Sequence, residues 1–237
     1  MLSLHRWPVK SLGGEPADAL RLDARGIAGD RAHALYDEHK GAPRRLTVRQ
    51  APRMLRWSAT YAGVPGDALD PGAVPLPRVT APDGAVFSWD DPRLPPALAS
   101  DLGRAVALRR DLALMQDFGD SILVTTQATL DAVSGALDRT LDLRRFRTNI
   151  HLELDAGAYA EERWEGGTLT FEGGVTLRLL HPCERCVIPT RDPDDGAARR
   201  PELLKWLAAH RSTLFGINAE VVTPGVVRRG EAVTVGA

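Results

Sequence analysis

The chain has 237 residues, 43% of them hydrophobic, enough for a sizeable core in one or two domains. Thirty lysines and arginines against 31 acids leave a net charge of −1, which argues against a general nucleic-acid or polybasic membrane binder but allows a local basic site. Two cysteines exclude a disulfide-stapled fold and a four-thiolate iron–sulfur cluster of its own. No run approaches the about 18 apolar residues of a transmembrane helix, and the first ten residues hold no apolar core of signal-peptide length, so a soluble cytoplasmic protein is expected.

Seventeen prolines and 22 glycines, spread along the chain, fit many short strands joined by turns. Ala32 to Tyr36 and Leu55 to Tyr61 alternate as strands, and Ala85 to Trp89 follows the turn Pro82-Asp83-Gly84. Pro96 to Gly103 is a short helix ending at a glycine. Ser121 to Val124 is a buried strand, after which Thr125 or Thr126 caps a helix to about Leu137. His151 to Leu154 is a strand. Thr168 to Phe171 and Val175 to Leu180 form a hairpin around Gly173-Gly174. Pro201 to His210 is a helix with proline in its first turn; 219–222 and 232–235 close the chain as strands. The pattern predicts a mainly β (α+β) fold, a barrel-like body with a few helices, divided near residue 110 into a strand-rich 1–110 and a second domain 111–237.

His181-Pro182-Cys183-Glu184-Arg185-Cys186 holds both cysteines. The next residue is Val187 rather than the histidine of c-type haem attachment, and there is no second cysteine pair for a structural zinc site, although His181 offers a third ligand. Two inert thiols, a redox pair and a single working thiolate stay open. Arg185 favours function, because a nearby cation stabilises a thiolate. Lys10 is one of only three lysines in an arginine-rich chain. With Ser11 before the turn Gly13-Gly14 it offers a cation, a hydroxyl and backbone N–H groups, a set that suits phosphate. Arg31 follows a glycine turn, and Arg144, Arg145, Arg147 and Asn149 precede a strand. Both are candidate anion sites, with Asn149 placed to hydrogen-bond a polar heterocycle, set against the ordinary alternative of surface ion pairs. The acidic run Asp192 to Asp195 lacks calcium-loop spacing and is a turn, with Asp192 a candidate for orienting the cysteine segment.

Taken in order, six blocks resemble one family. Pro8-Val9-Lys10-Ser11, Gly29-Asp30-Arg31 and Thr47-Val48-Arg49-Gln50-Ala51-Pro52-Arg53 are similar to the β-barrel module that precedes a MOSC domain. Phe146-Arg147-Thr148-Asn149-Ile150, Tyr159 to Trp164, and Cys183-Glu184-Arg185-Cys186 with Thr190 to Gly196 are similar to the MOSC domain itself, as found in amidoxime-reducing components. The resemblance implies a molybdenum cofactor (molybdopterin) with Cys186, not Cys183, as the metal thiolate. It also implies that Lys10, Ser11, Arg31, Asp120, Arg147, Asn149 and Arg185 contact the cofactor, Asp120 by a loose alignment. Thr148 departs from the proline usual between arginine and asparagine. The implied activity is reduction of N-hydroxylated small molecules such as amidoximes and hydroxylamines. The metal would take the substrate oxygen, Cys186 would tune it, and a separate flavin, haem or iron–sulfur protein would donate electrons. The alternative is a sulfur carrier or cofactor-handling protein with a persulfide on Cys186.

Overall fold

A computed structural model describes residues 1–112 and 122–236. Its first part runs through β1 (Ser3–Arg6), β2 (Glu15–Ala17), β3 (Ala19–Asp23), β4 (Gly26–Ile27), β5 (His33–His39), β6 (Ala42–Arg45), β7 (Ser58–Thr60), β8 (Arg78–Thr80), β9 (Val86–Ser88), α1 (Leu94–Leu102) and β10 (Ala107–Arg110). The second runs through β11 (Ile122–Thr126), α2 (Gln127–Ala136), β12 (Ile150–Leu152), β13 (Thr168–Phe171), β14 (Thr176–Glu184), α3 (Pro201–Arg211), β15 (Leu214–Thr223), β16 (Gly225–Arg228) and β17 (Val233–Gly236). The strand-rich α+β architecture agrees with the sequence expectation.

Eight strands make one mixed sheet in the order β17-β13-β14-β15-β11-β12-β1-β2. Its parallel pair is β11 with β12, which requires a crossover, and α2 lies in that connection. The Thr126 hydroxyl caps α2 by accepting from the Thr129 N–H, as expected. A smaller sheet, β16-β3-β4, faces the large one. Leu20, Leu22, Ile27 and Val227 from the smaller sheet share one core with Leu4, Val124, Ile150, Leu177 and Ile217. The first 27 residues therefore contribute strands to the body built by the second half of the chain.

A second core, around Leu12, Leu35, Met54, Trp57, Val79 and Leu98, lies under α1 and the sheets β10-β5-β6 and β7-β8-β9. Gly103 ends α1 with φ 70°, the left-handed backbone that glycine adopts at no steric cost. A third core joins α2 and α3 through Leu130, Val133, Leu203 and Leu207 to the stacked rings of Phe146 and Phe215, whose centroids are 3.6 Å apart.

Two local expectations are corrected. Leu55 and Arg56 belong to a 3-10 turn, Pro52–Arg56, so the strand there is only Ser58–Thr60. Burial of Met54 and Leu55, with the Trp57 N–H donating to the Met54 carbonyl, takes those residues out of the ladder. Val187-Ile188-Pro189 reads in the sequence as strand then turn, but a 3-10 turn spans Ile188–Thr190, closed by the Thr190 hydroxyl donating to the Val187 carbonyl at 2.6 Å.

Candidate functional site

The segment after β1 pairs back against the start of β5. The Arg31 N–H donates to the Trp7 carbonyl at 2.7 Å and the Lys10 N–H to the His33 carbonyl at 2.8 Å. Beside this junction opens a cavity of about 520 Å³. Its walls carry Lys10, Ser11, Arg31, Arg147, Cys183, Arg185 and Cys186, which are far apart in sequence. Of the residues singled out above, Arg144, Arg145, Asn149 and Asp192 are not on its walls, and Asp120 lies outside the described residues.

The cation-rich side is buried and locked. Ser11, Arg31 and Arg147 have φ of 72°, 50° and 56°. Left-handed backbone is costly for residues with a Cβ, so three such residues on one cavity mark a place where the surroundings fix geometry against local preference. Arg147 Nη1 donates to the Leu12 carbonyl at 2.8 Å, and its guanidinium lies 4.3 Å over the Trp7 ring. Trp7 Nε1 donates in turn to the Thr148 carbonyl at 3.1 Å. Arg31 donates to Asn149 Oδ1 (3.2 Å), to the Arg147 carbonyl (3.3 Å) and to the Asp30 carboxylate.

Asp30 is fully buried and accepts the Trp7 N–H at 2.7 Å. Burial pushes its carboxyl above the usual value, against the opposing pull of Arg31 and the Trp7 N–H. Asn149 is equally buried and stands behind the wall. Its Oδ1 also accepts the Leu123 N–H at 3.1 Å and its Nδ2 donates to the His5 carbonyl at 3.2 Å. Asn149 thus braces Arg31 and joins β11 to β1.

The thiol side is more open. In β14 the pairing with β15 shifts register between Leu179 and Pro182 and again between Pro182 and Glu184. Such irregularities re-aim side chains, and Pro182 has no N–H for the ladder. Both cysteines are free and half-buried. Arg185 holds the segment: its N–H donates to the Thr213 carbonyl at 2.8 Å and its Nη2 to the Phe146 carbonyl at 2.7 Å. Its Nη1 lies 3.1 Å from Cys183 Sγ, so the guanidinium contact goes to Cys183 rather than Cys186. Asp192 pairs with Arg145 at 3.3 Å, and Arg145 donates to the Arg191 carbonyl, so Asp192 braces the loop that follows the cysteines.

Sequence reasoning missed Arg45, Thr47, Arg49 and Asn218 as wall residues; His181, weighed above as a third metal ligand, is also on the wall. Thr47 and Arg49 lay within a quoted block without being singled out. Asn218 had no local signal: it reaches the cavity because β15 pairs with β14, where its Nδ2 is 3.2 Å from His181 Nδ1.

Among the described residues the wall carries six cations (Lys10, Arg31, Arg45, Arg49, Arg147, Arg185) and one acid, Glu184, in a chain whose net charge is −1. The buried Ser11 hydroxyl has no hydrogen-bond partner among the described residues, and neither has Arg185 Nε. A buried polar group left unpaired is costly, and an anionic ligand would satisfy it. Among the described residues no three His, Cys, Asp or Glu side chains gather to hold a metal ion. The two free, half-buried thiols beside these cations fit a metal that brings other ligands with it and takes one thiolate from the protein. No helix among these residues is long and apolar enough to cross a membrane.

Comparison with known proteins gives the family. The MOSC domain pattern matches residues 113–234 and the MOSC N-terminal beta barrel domain pattern matches 1–85. The chain is 30% identical over 142 residues to mitochondrial amidoxime-reducing component 1 of Mus musculus, covering 55% of this chain and 40% of that one. Its Xenopus laevis counterpart is 24% identical over 96% of this chain and 79% of its own. The chain thus spans under half of the mouse relative's length. The crystal structure of the YuaD protein of Bacillus subtilis superposes with a TM-score of 0.51 over 98% of this chain and 92% of its own, at 14% identity, a likeness of fold. The chain belongs to the MOSC domain family, with a MOSC N-terminal β-barrel domain ahead of the MOSC domain.

Proposed function

We propose that this protein is a molybdenum cofactor-dependent oxidoreductase that reduces N-hydroxylated small molecules, amidoximes and hydroxylamines among them. A separate redox protein supplies the electrons, and the location is cytoplasmic. The observation that carries the reading is one cavity that joins a buried, cation-rich wall with an unpartnered Ser11 hydroxyl to a half-exposed pair of thiols. The names of the mouse and frog relatives support the choice of substrate.

In this reading Lys10, the Ser11 hydroxyl, Arg31 and Arg147 hold the cofactor's phosphate and pterin. Their bonds to Asp30, Asn149, Leu12 and Trp7 fix the guanidinium planes before the ligand arrives. Cys186 supplies the thiolate ligand, and Arg185 fixes the turn that presents it. When bound, the cofactor supplies the two-electron couple that removes oxygen from an N–O bond. Overall, two electrons and two protons convert R–NHOH to R–NH2 and water.

The test is turnover of benzamidoxime by protein made with molybdate in a cofactor-competent host, driven by a small chemical reductant. Reduction to benzamidine by the wild type, absent from molybdenum-free protein and from Cys186→Ala, supports the reading. Equal activity in Cys186→Ala overturns it. A stable added sulfur on Cys186, with no turnover, would assign a sulfur-carrier role instead.

A further inference from the structure

We infer that the cavity prefers N-hydroxylated substrates that also carry an anionic group, a carboxylate or a phosphate ester, recognised at its mouth by Arg49 with Arg45. The inference rests on the reductase reading and names the substrate class of the same site.

The wall's cations fall into two tiers. Arg31 and Arg147 are 5% and 8% exposed and lie with Ser11 at the floor, whereas Arg45 is half-buried and Arg49 exposed. A phosphate monoester brings roughly two negative charges. Lys10, Arg31 and Arg147 suffice to meet it; Arg45 and Arg49 stand on the same wall, where Glu184 is the one acid among the described residues.

This chain usually pairs its surface arginines. Arg44 meets Asp37, Arg56 meets Asp101, Arg93 meets Asp91 and Arg144 meets Asp142. Among the described residues the Arg49 guanidinium has no carboxylate and no hydrogen bond; only its backbone N–H is engaged, by Thr47 Oγ1 at 3.3 Å. Thr47 is pinned in turn, its hydroxyl donating to Gln50 Oε1 at 2.7 Å and its N–H to the same oxygen at 3.0 Å. An uncompensated cation is thus presented from a fixed turn at a concave mouth, where low-dielectric walls focus its field on an entering anion. The concavity favours a small molecule over the face of an acidic redox protein.

The test titrates oxidised, molybdenum-loaded protein, without reductant, with benzamidoxime and with 4-carboxybenzamidoxime, following heat. Arg49→Gln is measured beside the wild type, with molybdenum determined in every sample. The carboxylate should bind roughly fivefold to tenfold tighter at low ionic strength, and salt should erode the preference. Arg49→Gln should bring the ratio towards one while keeping its molybdenum. Equal affinities in the wild type would overturn the inference. So would loss of molybdenum from Arg49→Gln, which would put that arginine on the cofactor. A raised KM of Arg49→Gln for an acidic electron-donor protein, with the substrate ratio intact, would overturn it as well. Absence of molybdenum from the wild type would fail the reductase reading itself, a result separable from the others.

Discussion

The two sides of the cavity are built by opposite means. The arginine side is buried, its guanidiniums tied to carbonyls, to Asn149 and to Asp30, and three of its residues hold left-handed backbone. The thiol side is half-exposed and hangs from bonds made by Arg185. Under the proposed function the difference separates two tasks. Holding an anion benefits from donors fixed in advance, whereas a thiolate that meets an incoming metal needs access. It follows that substitutions behind the arginine side should cost stability, and substitutions on the thiol side should cost ligand.

The sharpest way to break this comparison is Asp30→Ala. It strips Arg31 of a buried carboxylate and the Trp7 N–H of its acceptor. Urea unfolding should show a loss of about 3–5 kcal/mol, as for other buried pairs broken on one side. A loss below about 1 kcal/mol would mean the arginine side is not locked.

Acid probes the same side. Burial lowers His33, behind Lys10, from 6.5 to about 4, and burial lowers His151, next to Thr125 and Gln127, equally far. Above pH 6.5 both histidines are neutral whether the chain is folded or not. Between 6.5 and about 4 the unfolded chain binds protons that the folded protein refuses, so stability falls as pH falls. Each histidine should cost on the order of 3 kcal/mol across that window. Urea midpoints measured from pH 7 to pH 4 check it, and His33→Gln should flatten the profile by about half. Buried Asp30 and Glu161, whose carboxyls burial raises, work in the opposite direction, so the histidine effect is read from the difference between wild type and variant; a His33→Gln profile as steep as the wild type's would contradict the burial of that ring.

The smallest expected effect has a reversed sign. Ser11→Ala removes a buried hydroxyl that has no partner. Cofactor-free protein should be unchanged or more stable by under about 1 kcal/mol, while cofactor retention through gel filtration should fall several-fold. Destabilisation of the cofactor-free form would mean that the hydroxyl is satisfied within the protein.

What could be read in advance follows from locality. The helices at 94–102, 127–136 and 201–211 announced themselves through proline, a threonine cap and apolar spacing. Strand β1 did not: it has four residues, one of them the buried Arg6, and its role comes from pairing with Glu15–Ala17 and with Ile150 and His151, far along the chain. Lys10, Ser11, Arg31, Arg147 and the cysteine pair could be named from residue chemistry and family resemblance. Their convergence could not, because it arises from pairing across the chain. Asn149 shows the limit of the argument from residue type: an amide suited to a heterocycle is occupied in bracing Arg31, His5 and Leu123.

The central claim is that the cavity holds a molybdenum cofactor through Cys186. The most direct measurement is molybdenum content by inductively coupled plasma mass spectrometry, on wild type and Cys186→Ala from a cofactor-competent host, with unfolding followed on the same samples. The account predicts near-stoichiometric molybdenum in the wild type and its loss from the variant. The intrinsic stability of the cofactor-free forms should agree within about 0.5 kcal/mol, since the side chain is half-exposed. Molybdenum absent from both proteins, or retained in full by Cys186→Ala, would contradict it.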